Sequence, residues 1–442
     1  MVPADSSAEP KRWIGIALAA LLAVSFALRT WDASQHLGGN RYFDENYSFK
    51  NVTAILMEGD FRPRQAYYLG LSYLPQTAVL AASEALYRLT RYSPLSIYGE
   101  AGGGYSPTAI WLCRMVNVLY GVASLWLLFL VGQRLYSPGV GLLAAAILAA
   151  FTRHVQASVE FKPDILVLLL TVLTFYWTLK AAAEPRLGRF LLVGLGVGLG
   201  VATKYTAIAS AIPITTAVLI RGRHDRRQWG WLLLAGLTSF VTFIALNPFL
   251  GVIFRYLPRL TRSYAWRGAR EESGHWVVFQ RQIRFLIDHH GPVVAAFVAL
   301  GIAGLVWRIA RPAREDTPER RLGSILVLSL LLGYSLLHSL GTSLFRGQNY
   351  IPVVPFSSLA AAWAMASLWR ALARRVPGLA SRPAAALACL SVGGALVAQQ
   401  GAIVYHRVVP TNFTVAGNAL LGRLKPLGLR HIVYEQELGA FR

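Results

Sequence analysis

The sequence predicts an all-α polytopic membrane protein with about 11 transmembrane helices. Of its 442 residues, 55% are hydrophobic and only 14% charged, with a mean hydropathy of +0.45. Apolar runs recur at 13–30, 108–132, 139–152, 164–183, 190–220, 229–248, 292–310, 322–340, 350–372 and 384–404. Most reach the ~20 residues needed to cross a hydrocarbon core of about 30 Å. Charge is also lopsided, with 43 Lys and Arg against 21 Asp and Glu and a net charge of +22. In a membrane protein that excess belongs in cytoplasmic loops beside an anionic leaflet. No basic run carries the aromatic platform that nucleic-acid binding requires, so no nucleic-acid partner is expected. Cys113 and Cys389 both lie inside apolar runs, which excludes a disulfide framework and a metal knuckle. Arginine-rich, lysine-poor usage fits a GC-rich bacterial chain, and hence the bacterial inner membrane.

The basic residues orient the runs. Lys11 and Arg12 precede the first, Arg134 the third, and Lys180, Arg186 and Arg189 the run at 190. Arg221, Arg223, Arg226 and Arg227 follow residue 220; Arg308 to Arg321 and Arg370 to Arg382 form two further clusters. If all are cytoplasmic, the chain crosses an even number of times between clusters. The run 190–220 has basic clusters at both ends, and its 31 residues would make one helix of about 46 Å, well over the core thickness. A hairpin bent at Thr203-Lys204-Tyr205-Thr206 satisfies both constraints. Residues 64–90 are interrupted by Pro75, Gln76 and Glu84, and read as helices lying in the outer interface. The expected organisation is a transmembrane catalytic domain over 1–404 and a short outer C-terminal tail over 405–442. Residues 31–107 form a first outer loop with interfacial helices, and 249–291 a second long one.

This topology puts four polar motifs on the outer face: Asp44-Glu45, Glu160-Phe161-Lys162-Pro163-Asp164, Thr203-Lys204-Tyr205 and Arg346-Gly347-Gln348-Asn349-Tyr350. Acids and cations at helix ends on one face suit a reaction on a substrate with an anionic, lipid-linked leaving group. A carboxylate deprotonates the acceptor hydroxyl while lysine and arginine hold phosphate oxygens. Each motif also has a plainer reading. Asp44 and Glu45 form a solvated loop pair, Lys162 and Asp164 an interfacial ion pair capping the next helix, and Arg346 snorkels to headgroups. Lys204 between two apolar half-helices is costly, which favours function. The loop 249–291 mixes charges and aromatics, and His289-His290 alone make no metal site.

Phe43-Asp44-Glu45-Asn46-Tyr47, followed by Met57-Glu58-Gly59-Asp60-Phe61-Arg62-Pro63, resembles the first outer loop of the C-type membrane glycosyltransferases. The similarity is to the dolichyl-phosphate-mannose–protein mannosyltransferase-like and aminoarabinose-transferase-like branch. Gly194–Tyr205 is similar to that family's Gly-rich helix ending in a lysine turn, and Arg346–Pro355 to its late arginine-tyrosine-proline helix start. The resemblance covers roughly residues 10–375 and implies a GT-C-like fold. It also implies inverting transfer from a polyprenyl-phosphate sugar to a periplasmic-side acceptor. Asp44 matches the general base, and Glu45 a second acid orienting Asp44 or the acceptor. Lys204 and Arg346, with Tyr205 and Tyr350 beside them, match donor-phosphate positions; Lys162 and Asp164 are an additional candidate site. No cofactor is expected to be required, and a divalent metal is not favoured. Larger relatives carry a folded periplasmic domain in place of 405–442, so whatever selects the acceptor there is expected to be missing or shortened here. A lipid or cell-envelope glycan acceptor is favoured, with protein the other candidate. The competing reading, a transporter or flippase for lipid-linked sugars, would require midplane ionisable residues and an internal repeat. Neither is visible.

Overall fold

The computed structural model describes residues 8–35, 37, 45–63, 69–93, 96–97, 105–249, 274–312, 317–341 and 345–376, with isolated positions between 251 and 262 and between 394 and 405. Its helices in chain order are α1 (Ala8–Ala33), α2 (Glu45–Glu58), α3 (Leu74–Thr90), α4 (Pro107–Leu135), α5 (Pro138–Ala149), α6 (Thr152–Ala157), α7 (Asp164–Ala183) and α8 (Leu187–Val201). There follow α9 (Ile212–Arg221), α10 (Arg227–Leu246), α11 (His275–His290), α12 (Pro292–Ala310), α13 (Pro318–Gly341), α14 (Gly347–Tyr350) and α15 (Val354–Arg375). Among the described residues there is no strand, and 7 helices are long and apolar enough to cross a membrane. Pro138–Ala149, Leu187–Val201 and Tyr205–Arg221 are shorter apolar helices. The run at 384–404 and the tail at 405–442 fall almost wholly outside the described residues.

Local chemistry sets the boundaries. Ser106 and Ser137 cap α4 and α5, accepting from the backbone N–H groups of Ala109 and Val140 at 3.1 and 3.3 Å. Each is followed by a proline at the first helical position, where a missing N–H costs nothing. The main core runs between α4, α5, α7, α13 and α15, through Leu125, Leu128, Val172, Phe175, Leu326, Phe356 and Leu359. By contrast α10 and α12 turn Leu233, Leu237, Phe240, Leu300 and Trp307 outward, as lipid-facing helices do. The glycines of α8 are a packing groove. A Cβ at Gly194 would strike the Ala235 carbonyl, and one at Gly198 would lie 2.7 Å from that of Ser239.

The expected hairpin is present, and side-chain contacts fix its direction. At the start of α8, Arg189 Nη1 donates to the Lys180 carbonyl near the end of α7, at 2.9 Å. Beyond the turn at 202–204, Lys204 Nζ is 2.7 Å from Asp164 Oδ1 at the start of α7. Arg221, ending α9, returns to the Ala182 carbonyl and lies 3.8 Å from Glu319. Arginine-rich ends thus gather at one end of the bundle and the polar motifs at the other.

A buried arginine and a buried histidine inside the bundle are also accounted for. Arg29, fully buried in α1, donates to the Ala149 carbonyl at 3.2 Å and to His154 Nδ1 at 3.0 Å. His154 Nε2 reaches Ser124 Oγ at 2.9 Å. Burial, then the neighbouring Arg29 cation, holds the His154 pKa well below its ordinary value, so a neutral ring receives the guanidinium proton at Nδ1.

Cysteine substitutions at the exposed Ser93 and Arg223, in a Cys113→Ser/Cys389→Ser background, test the two-ended arrangement. An impermeant maleimide should label Ser93→Cys in intact cells and Arg223→Cys only after permeabilisation. The same sidedness for both would contradict it.

Candidate active site

The polar end is organised by one buried ion pair. Glu45 opens α2 and is fully buried. Arg114 of α4, equally buried, grips it bidentately, Nε to Oε1 at 3.1 Å and Nη2 to Oε2 at 2.9 Å. Oε1 also accepts the Phe161 backbone N–H at 3.0 Å. The remaining guanidinium nitrogen of Arg114 donates to the carbonyls of Gln35 and Ala33, at 2.9 and 3.4 Å, just past the end of α1. Four segments distant in sequence therefore meet at one pair. Both Glu45 oxygens are committed there, so its contribution is to hold the start of α2 in place. Asp44 lies outside the described residues.

One turn along α4, Asn117 continues the seam. Its amide donates to the carbonyls of Glu160 and Lys162, the latter at 3.0 Å, and accepts from Gln76 of α3 at 2.9 Å. Ser48 of α2 donates to the Phe161 carbonyl at 3.0 Å, and Phe49 packs edge-on against the Phe161 ring at 5.1 Å. The first loop is thus bolted to the 160–162 segment by both backbone and side chains.

The two lysines take partners that their spacing does not suggest. Lys162 Nζ lies 2.9 Å from Glu160 Oε2, whereas Asp164 pairs with Lys204, 40 positions away. All four side chains are nearly buried, at 12% and 5% exposed in one pair and 12% and 4% in the other. Asp164 sits in the first turn of α7, where a carboxylate complements the helix macrodipole. Lys204 leaves α8 in extended conformation (φ −159°, ψ 135°). Its turn is braced from the first loop by the Leu69 and Leu71 N–H groups on the carbonyls of Thr203 and Ala202, at 3.4 and 3.2 Å. The Gly70 N–H meanwhile binds Asn247 Oδ1 at the end of α10, at 2.8 Å. Tyr205, next in chain, is half-buried, and its buried hydroxyl has no hydrogen-bond partner among the described residues.

The fourth motif closes the ring. Arg346 is half-buried, in extended conformation, immediately before α14. Tyr350 is buried, its hydroxyl 2.6 Å from Ser335 Oγ of α13, and the Tyr334 hydroxyl donates to the Asn349 carbonyl. The same helix α13 packs against the 205–211 segment that follows Lys204, and His338 lies one turn beyond Tyr334. The segment 346–350 is therefore attached to the Lys204–Asp164 pair through α13. Next to it α11 places His289 and His290 among Phe151 and Phe285. Burial, then Arg153, brings the His289 pKa down to about 4; burial, then His289, brings that of His290 down to about 3. His290 Nε2 is 3.0 Å from Ser357 Oγ, and His289 Nε2 accepts from Arg153 Nε at 3.3 Å. No cluster of three or more His, Cys, Asp or Glu suited to a metal occurs among the described residues.

Sequence reasoning passed over Arg114, Asn117, Asn247, Tyr334 and His338. An arginine inside the apolar run 108–132 is itself a signal, because a lone charge in a spanning helix demands a buried partner. Nothing in the local sequence marks His338.

Glu45→Gln would leave the Arg114 charge buried and uncompensated, at a cost of about 3–5 kcal/mol. The Tm in detergent should fall sharply, and the double variant Glu45→Leu/Arg114→Leu should recover more than half of the loss. An unchanged Tm in the single variant would show that the pair is not structural.

A family profile described as dolichyl-phosphate-mannose-protein mannosyltransferase matches residues 107–247, the span from the start of α4 to Asn247. No curated protein matches the sequence. Among solved structures, ArnT from Cupriavidus metallidurans bound to undecaprenyl phosphate superposes with a TM-score of 0.53 at 15% identity, covering 93% of this chain and 72% of its own. The Archaeoglobus fulgidus oligosaccharyltransferase AglB, in complex with an inhibitory peptide and a dolichol-phosphate, gives a TM-score of 0.56 at 14% identity, over 90% of this chain and 56% of its own. The chain thus spans about half the length of the archaeal enzyme. With all-α architecture, a polar site at one end of the bundle and these likenesses, the chain has the fold of the GT-C membrane glycosyltransferases, and over α4 to α10 it carries the sequence pattern of the mannosyltransferase branch.

Proposed function

We propose that this protein is an integral-membrane glycosyltransferase moving a sugar from a polyprenyl-phosphate donor to an acceptor at the periplasmic face of a bacterial inner membrane. The observation that carries the reading is Lys204: a nearly buried ammonium at the bend of a transmembrane hairpin, held by Asp164 and braced by the first loop. A lysine kept there at the expense of desolvation fits a substrate that brings its own negative charge. ArnT bound to undecaprenyl phosphate and AglB with a dolichol-phosphate are relatives in fold whose ligands have that chemistry.

In this scheme Asp44 accepts the proton of the acceptor hydroxyl. The acceptor oxygen forms its bond to C1 of the sugar from the face opposite the phosphate, and the C1–O bond breaks with its electron pair leaving on the polyprenyl phosphate. A single displacement inverts the anomeric centre and needs no covalent enzyme intermediate. Lys204 and Arg346 neutralise the departing phosphate, flanked by Tyr205 and Tyr350. Lysine and arginine supply the positive charge that the leaving group requires, so the scheme uses no metal or cofactor. Glu45, being Asp44's covalent neighbour and anchored to Arg114, acts as a positioning residue. Asp164 aims Lys204, and Lys162 with Glu160 shapes the adjoining wall. A lipid or cell-envelope glycan is the preferred acceptor, because α2, α3 and α11 expose apolar side chains such as Met57, Leu89 and Trp276, which suit a lipid-borne substrate.

Purified protein in lipid, given radiolabelled polyprenyl-phosphate sugars and a membrane extract, should transfer sugar with inversion. Asp44→Asn should lose about 10²–10⁴-fold in kcat, the usual worth of a positioned base. Lys204→Ala should raise the donor KM about 10–100-fold, as loss of a charge-assisted contact of about 1.5–3 kcal/mol requires. Equal turnover in wild type and Asp44→Asn would overturn the assignment of the base.

A further inference from the structure

His338 takes no part in the scheme above, yet its ring packs against Tyr350 of the fourth motif. Its Nε2 is buried and has no hydrogen-bond partner among the described residues. Around it the ring meets Phe345 in a near-parallel stack (centroids 5.8 Å, 24°), Tyr350 at 6.1 Å and Tyr334 edge-on at 6.4 Å. Both tyrosine hydroxyls are already bonded, to Ser335 Oγ and the Asn349 carbonyl, so neither satisfies the imidazole. A buried polar atom left unpaired costs about 1–3 kcal/mol. Here it is framed by three aromatic rings.

We propose that His338 reads the sugar of the donor, accepting from or donating to one of its ring hydroxyls through Nε2. This inference rests on the polyprenyl-phosphate reading of the site and extends it to the group being transferred. In that reading the ammonium of Lys204 answers the phosphate charge. What is left for a neutral ring nitrogen in an aromatic frame is a neutral polar group. A sugar presents that combination, hydroxyls for the nitrogen and C–H faces for the rings of Phe345 and Tyr350. A bare lipid phosphate offers His338 nothing that Lys204 does not already provide. Discrimination by a buried polar atom is also steep, because a ligand lacking the matching group leaves that atom unpaired.

The test is binding of undecaprenyl phosphate, and of undecaprenyl-phosphate-linked hexose and pentose, to nanodisc-embedded wild type, His338→Phe and His338→Gln. Phenylalanine keeps the stack and removes the nitrogen; glutamine keeps a hydrogen-bonding group. Wild type should bind one sugar-bearing lipid about tenfold more tightly than the bare phosphate. His338→Phe should lose that margin while holding the bare phosphate as before, and His338→Gln should restore part of it. A His338→Phe variant that keeps the full margin, or loses affinity for both lipids alike, overturns the proposal. Wild type that binds the bare phosphate but shows no preference for any sugar overturns it too, while sparing the polyprenyl-phosphate reading. Failure of wild type to bind either class of lipid would bring down that reading, and the proposal with it.

Discussion

The bidentate contact between Glu45 and Arg114 is the constraint on which the polar end of the molecule depends. Taking both charges out of water is unfavourable, and the pair is tolerable because each of its side-chain nitrogens and oxygens is hydrogen-bonded. Arg114 spends its other nitrogen on the carbonyls past α1, and Glu45 spends its second lone pair on the Phe161 N–H. The pair is therefore less a source of net stability than a device of registration. It admits one relative placement of the first loop, α4 and the 158–163 segment, and the geometry of the lysine turn follows through Leu69, Gly70 and Leu71.

Behind that pair runs a longer pattern. Arg114, Asn117, Gly121 and Ser124 recur at helical spacing along one face of α4. Each meets the chain between α5 and α7: Phe161 through Glu45, the carbonyls of Glu160 and Lys162, the Ser158 side chain and His154. A transmembrane helix with a polar stripe must cover it, because lipid offers no hydrogen bonds. The irregular stretch 158–163, whose backbone groups at 160–162 find partners on α2 and α4, is what covers it. Each solves the other's problem.

Much of this was readable in the residues. The hairpin at 203–206 followed from two basic clusters and a run too long for one crossing. The site was legible as motifs but not as pairs. Lys162 and Asp164 are two positions apart, yet one binds Glu160 and the other Lys204, because spacing says nothing about which side chains tertiary packing brings together. Arg114 and Asn117 were written plainly in the sequence, hidden only by averaging hydropathy over the apolar run that contains them. His338 gave no sign at all, since a histidine near a helix end is ordinary until its neighbours are known.

The hairpin also has a consequence for the bilayer. With 15 residues, α8 rises about 22 Å, some 8 Å short of a typical hydrocarbon core. A helix that short beside full-length neighbours pulls the leaflet inward or leaves a hollow filled by water and headgroups. With the Arg189 end of α8 at headgroup level, the turn bearing Lys204 would lie below the general level of the opposite phosphates. On the proposed function, the charged head of the donor lipid would descend to that turn with the leaflet rather than through it. The thinning of the membrane thus becomes part of the entry route.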